Sequence, residues 1–248
     1  MNLLLAAVLA EHAKLKRTLA RASAVAAPFC ALILSLFVLG NLDALAAGGH
    51  IARWQAYVEA LLRIWAAFLL PLMVTVQAVL IAQLEHGNRQ WKYLLTLPVP
   101  REWLYLAKAI NLGGLVVMAH AVLWAMGAIA CVTAGLAGPT SGTLWPMLGE
   151  LAGGLLATCA ASMLLAAIQL AVAMALESFI AAISIGLVAT LASIVAGPAL
   201  GAKARWFPWS MPLKALDPSS LVWWSCLGTA TAIAVAVGAW RLRRAQVR

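Results

Sequence analysis

The stretch LAGGLLATCAASMLLAAIQLAVAMAL, residues 151–176, runs for 26 residues without one charged side chain. About twenty apolar residues carry an α-helix across roughly 30 Å of hydrocarbon, so this block is long enough to span a bilayer. Five blocks of the same kind lie on either side of it, at roughly 22–39, 64–82, 106–134, 179–197 and 221–240. The whole chain shares this character: 65% of its 248 residues are hydrophobic and only 10% charged, with a mean hydropathy of +0.96. Such a composition excludes an ordinary soluble domain. It predicts an all-α membrane protein with six transmembrane helices, formed by residues 1–248 as a single transmembrane domain.

Basic residues near span ends are retained on the cytoplasmic side. With six spans both termini share a side, and twelve of the 17 Lys and Arg residues then fall inside: Lys14, Lys16, Arg17, Arg21, Arg89, Lys92, Arg101, Lys108, Arg241, Arg243, Arg244 and Arg248. Only Arg53, Arg63, Lys203, Arg205 and Lys214 fall outside. Both termini are therefore expected in the cytoplasm of a bacterium, with the chain in its inner membrane. The formal charge of +9 reads as topology and as attraction to anionic membrane lipids. Charges scattered around six helices make no nucleic-acid stripe. Tryptophan fits the same map, because its ring prefers the interface. Trp54, Trp145, Trp206, Trp209, Trp223 and Trp224 fall at the expected outer boundary and Trp91, Trp103 and Trp240 at the inner one, while Trp65 and Trp124 fit neither.

Three segments lie outside the spans. Residues 1–21 begin apolar and turn basic only afterwards, the reverse of a secretory signal. Leu4, Val8, Leu15 and Leu19 share a helical face from which Glu11, Lys14 and Arg21 are turned away, which predicts an interfacial helix. Residues 83–105 form the expected cytoplasmic loop, QLEHGNRQWKYLLTLPVPREWLY. There Gly87 and Asn88 break the second span, Trp91, Leu94 and Leu95 recur at helical spacing among Arg89 and Lys92, and Pro98 and Pro100 stop the turn. A short amphipathic helix of this kind either docks a soluble partner or lies on lipid. Residues 198–220 hold Pro198, Pro208, Pro212 and Pro218 around Trp206, Phe207 and Trp209. That predicts an outer re-entrant or interfacial segment before the last span.

The run from Glu85 through Arg89, Trp91, Leu94, Leu95, Leu97, Pro98 and Arg101 to Lys108 resembles the cytoplasmic loop of the type-2 ABC transporter permeases, the exporter family that includes bacteriocin-immunity and drug-resistance permeases. The Glu11, Lys14, Lys16, Arg17 stretch, the six-span plan and Phe207-Pro208-Trp209 extend the likeness over nearly the whole chain. The resemblance implies a coupling helix that enters a cleft of a separate ATPase subunit. It assigns that contact to Arg89, Trp91, Lys92, Leu94 and Leu95, a hinge to Glu85 and a second contact to Glu177 in the turn between spans four and five, for which a simple interfacial acid is the other reading. It also implies a second permease copy or a paralogue, and a substrate path lined by span two, on which Gln77 lies; interhelical hydrogen bonding is the other reading of that glutamine.

Nothing in the sequence offers chemistry of its own. A phosphate-binding loop needs Gly-Lys-Ser/Thr, and no lysine here follows a glycine. ATP and Mg²⁺ are therefore expected on the partner subunit, with no cofactor or metal on this chain. Cys30, Cys131, Cys159 and Cys226 sit singly within the apolar blocks and form no metal-ligand pattern. Membrane-enzyme motifs are missing, and His120 is the one good mid-span candidate for the proton relay of an ion-driven carrier. Small residues repeat every four positions at Gly154, Thr158, Ser162 and Ala166, and again at Ser178, Ala182, Gly186 and Thr190, which predicts close packing of spans four and five on each other. An ATP-driven exporter subunit for a peptide antibiotic, lipid or drug is the leading expectation. A secondary carrier and a non-transporting scaffold are the alternatives.

Overall fold

The computed structural model describes residues 3–16, 18–40, 49–86, 100–133, 144–200, 207–217 and 223–244. Among these there is no strand, and nearly all are helical: α1 (Leu3–Leu15), α2 (Leu19–Gly40), α3 (Gly49–Ile64), a π turn (Trp65–Leu69), α4 (Leu70–His86), α5 (Arg101–Thr133), α6 (Leu144–Ala175), α7 (Phe179–Leu200), the single-turn α8 (Met211–Lys214) and α9 (Trp223–Arg244). Four helical stretches are long and apolar enough to cross a membrane: Leu19–Val38, Ala52–Glu85, Arg101–Thr133 and Leu144–Ala175. Shorter apolar stretches follow at Phe179–Val195 and Ala230–Leu242.

The apolar blocks sit where the composition places them, with one difference. The second span starts far earlier than residue 64, because α3 runs through the π turn into α4 as one helix. The charged residues Arg53, Glu59 and Arg63 masked it. Glu59 and Arg63 pair with each other, 2.6 Å apart and largely exposed, so they occupy the open side while Trp54, Tyr57, Leu61 and Trp65 are enclosed. At 1.5 Å per residue the 33 residues of α5 reach about 50 Å, well beyond the hydrocarbon thickness.

The core is a bundle around α4, α5 and α6. α2 packs on α3, α4 and α5; α4 on α6 and α7; and α9 on α5 and α6. Phe29, Ile33 and Phe37 of α2, Val117, Ile129 and Val132 of α5, and Ile180, Val188 and Val195 of α7 point outward. Such a collar of bare aliphatic and aromatic side chains is stable against lipid tails and not against water.

Two expectations are corrected. The small-residue faces of α6 and α7 do not close mainly on each other: a Cβ on Gly186 would strike the Thr75 side chain of α4, and one on Gly154 would strike Leu62 of α3. Gly154 and Gly186 thus both serve approach to the second span, and a direct tie between α6 and α7 is Gln169 Nε2 donating to Ala182 O at 3.1 Å. The second correction concerns α1. It packs along α5, burying Ala7, Glu11 and Leu15, so Glu11 faces the bundle. Leu3, Leu5 and Leu9 are the side chains left exposed.

Candidate functional site

A glutamate on the inner face of a helix demands partners, since an unpaired buried charge is very costly. Glu11 finds two, and they are shared with a second glutamate on a third helix. Lys108, two turns into α5, places Nζ 2.7 Å from Glu11 Oε2 and 2.8 Å from Glu85 Oε1 at the end of α4. Lys14, one turn after Glu11, binds Glu11 Oε1 at 2.5 Å and lies 3.5 Å from Glu85 Oε1. The four side chains close a ring of alternating sign. Side-chain exposure is 0% for Lys108, 1% for Glu85, 4% for Glu11 and 32% for Lys14, so Lys14 is the one member in partial contact with solvent.

Burial by itself would raise the Glu11 carboxyl; the Lys108 and Lys14 ammoniums outweigh it and hold the group below the usual carboxylate range. Burial likewise disfavours the Lys14 cation, yet Glu11 and Glu85 hold its ammonium above the usual lysine range. Both shifts favour the ionised ring. The weakest side is Lys14 to Glu85, and Glu85 Oε2 is buried with no hydrogen-bond partner.

A neutral clamp lies one helical turn further along α5. Asn111 Nδ2 donates to Val8 O of α1 at 3.1 Å and to Ala107 O at 2.9 Å, while His12 Nδ1 approaches Asn111 Oδ1 at 3.3 Å. Charge and amide contacts together fasten α1 to α5 over two turns. The ring also joins Glu85, at the end of α4, to Lys108, two turns into α5, on either side of residues 87–99.

Of the residues singled out in the sequence, Glu85 is thus a ring member. The first residues of that loop, 83–86, belong to α4, and the last, 101–105, to α5. Arg89, Trp91, Lys92, Leu94 and Leu95 lie outside the described residues. Glu177 is exposed in the three-residue bend between α6 and α7; its main-chain carbonyl accepts from Gln83 Nε2 at 3.3 Å, placing this bend beside the end of α4. Ser178 Oγ caps α7 through Ala181 N. Gln77 is wholly enclosed between α4 and α2, where Nε2 donates to Ser23 Oγ at 3.3 Å and Ala20 O at 3.4 Å. Of the outer segment, residues 207–217 fold onto the bundle, with Met211 and Ala215 against Ala161 and Leu164 of α6 and Trp209 buried.

His120 is committed to structure at both ring nitrogens. Nδ1 donates to Val116 O at 2.8 Å, leaving Nε2 to accept from Trp65 Nε1 at 3.1 Å, and Thr158 Oγ1 stands 3.3 Å away. Trp65, which fitted neither interface, is enclosed with its indole N–H satisfied there.

Glu11, Lys14, Lys108 and Asn111 acquire their site role only in three dimensions. The available signal was three isolated charges, Glu11, Glu85 and Lys108, each at the end of an apolar run expected on the same side of the membrane.

One family model, described as ABC-2 family transporter protein, matches residues 7–193, a stretch that contains all four ring residues. No curated protein and no solved structure matches the chain.

Proposed function

This chain belongs to the ABC-2 family of transporter proteins, as a multi-pass membrane permease of an ABC transporter, and from that premise we propose that it is the membrane subunit of an ATP-driven exporter whose ATPase acts through the charged ring. Six spans cross the inner membrane with both termini cytoplasmic, α7 and α9 supplying the fifth and sixth. Two copies, or this chain and a paralogue, pair with two ATPase subunits that bind and hydrolyse ATP with Mg²⁺. The cargo is an amphipathic molecule such as a peptide antibiotic, lipid or drug.

The observation that carries this reading is the ring. The coupling contact falls, by the family resemblance, on Arg89, Trp91, Lys92, Leu94 and Leu95, and Glu85 and Lys108 on either side of those residues are bonded at 2.8 Å. A push on the loop therefore cannot be absorbed by its two ends separating. It passes as one load into α4, α5 and, through Glu11, into α1. Closure of the ATPase tilts this unit and shifts the second span, on which α6 and α7 both pack, opening the path outward. Gln77 then faces that path when α2 and α4 part. Glu177, beside the end of α4, touches the same ATPase.

Two measurements test this. Arg89→Ala with Trp91→Ala removes the two side chains best suited to a desolvated contact, each costing about 2 kcal/mol or more on truncation. Co-purification of the ATPase with the tagged permease should fall and substrate-stimulated hydrolysis should vanish, with the permease still inserted. Full retention and full transport would remove the coupling role from this loop. The scaffold reading predicts partner binding without flux. An ion-driven carrier predicts transport that ignores ATP, and with both His120 nitrogens engaged its relay has no free member.

A further inference from the structure

Where α9 ends, it leaves a cavity of about 490 Å³ against α5 and α6. Tyr105, Ala171, Met174 and Gly238 form part of its wall, and Arg241 and Arg244 belong to its lining. The closeness of α9 to α5 follows from Gly238, since a Cβ there would collide with the Tyr105 ring and hydroxyl. Beyond that crossing the small side chains Ala171 and Ala175 of α6 leave a trough.

Among the described residues the charges in the trough are all of one sign: no described acidic residue lines it, and neither Arg241 nor Arg244 forms a salt bridge with another described residue. The Arg244 guanidinium lies 4.4 Å above the Trp240 ring centroid; an arginine stacked on an aromatic face keeps its N–H edge free for an oxyanion.

We propose that this cavity is a binding site for one anionic phospholipid, with the headgroup phosphate held by Arg241 and Arg244 and an acyl chain lying between α6 and α9. Charge complementarity selects the anionic headgroup, because two guanidiniums with no described acid in the lining match a phosphodiester carrying net negative charge and disfavour one already balanced by choline. The apolar wall selects a lipid over free phosphate. Met174 is flexible enough to follow a chain's shape. The bound lipid would bridge α9 to α6, joining the last helix to the bundle at the point where its protein contacts open out. The topology proposed above would put this lipid in the cytoplasmic leaflet; the binding chemistry does not depend on it.

Full-length chain purified in neutral detergent, where neither membrane sidedness nor the ATPase matters, provides the test. Native mass spectrometry with added phosphatidylglycerol or phosphatidylcholine, and thermal unfolding with the same lipids or with inorganic phosphate, give independent readouts. Phosphatidylglycerol should bind at one molecule per chain, at least tenfold more tightly than phosphatidylcholine, and raise the unfolding temperature, while inorganic phosphate at equal concentration should not. Arg241→Gln with Arg244→Gln should abolish that preference. Ala171→Phe, which fills the trough and keeps both arginines, should remove the bound lipid as well. Retention of the preference by the arginine double variant, or an equal shift from inorganic phosphate, overturns the proposal. So does unchanged lipid binding in Ala171→Phe if that variant unfolds at the parent's temperature. Loss of ATPase coupling with this lipid preference intact would count against the functional reading alone.

Discussion

Replacing Lys108 by methionine keeps an apolar stem of nearly the same reach, one atom shorter, and removes one charge. The ring has two lysines and two glutamates and is neutral; without Lys108 it carries one net negative charge. Lys14 cannot serve both acids equally, being 2.5 Å from Glu11 but 3.5 Å from Glu85. Glu85 is therefore stranded, at 1% exposure and already lacking a partner for Oε2. An exposed pair broken in this way would cost about 0–1 kcal/mol, whereas breaking a buried one from one side costs about 3–5 kcal/mol. The enclosure of Lys108 puts it in the second class. Adding Glu85→Gln neutralises the stranded group and leaves Glu11 paired with Lys14, so the double variant should regain about 2 kcal/mol or more over Lys108→Met alone. Unfolding of the parent, both single variants and the double variant by a denaturing detergent, followed by helix content, yields the coupling energy directly. Additivity of the two changes to within about 0.5 kcal/mol would refute the ring as an energetic unit.

Two other outcomes follow from the same packing. Gly186→Leu should push α7 off α4 at Thr75, costing about 1–3 kcal/mol as overpacking does; Thr75→Ala in the same chain should recover part of the loss, and equal thermal stability of Gly186→Leu and parent in detergent would exclude the close approach. Acidification should free α1, since an acid held below its usual range stabilises the fold above about pH 4.5 and loses that contribution as pH falls through its folded value. Hydrogen exchange of α1 amides, corrected for the intrinsic pH dependence, should rise below that point and stay flat from pH 5 to 9, and equal protection at pH 3 and 7 would contradict it.

The apolar blocks were legible because a bilayer imposes a length and a polarity on each span regardless of what packs against it. The ring was not. Glu11 lies off the aliphatic face of α1 on a helical wheel, and a charge in that place reads as solvated. It is buried because Lys108 is there, 97 positions away in sequence, and single-chain periodicity carries no information about which helix comes alongside. Lys108 contributed to the charge map only as one of twelve basic residues. Residues 49–63 failed differently: their polar side chains mark the open side of a helix that was already part of the span. Gly186 and Gly154 were correctly read as points of close approach, but small size says only that something comes near, and that something is the second span.

The π turn at Trp65–Leu69, where the Leu70 N–H reaches back five residues to the Trp65 carbonyl, inserts one extra residue into the helical count. In a helix of 3.6 residues per turn, one residue corresponds to about 100° of azimuth. The N-terminal half of this long helix, bearing Trp54, Tyr57 and Leu61, and the C-terminal half, bearing Gln77 and Glu85, are thereby clocked relative to each other. Shortening the turn by one residue would leave each half intact and swing Glu85 a quarter-circle away from Lys108. The electrostatic lock at one end of this span is thus set by a phase defect about twenty residues upstream, so that the indole held by His120 acts as the index mark of the whole shaft.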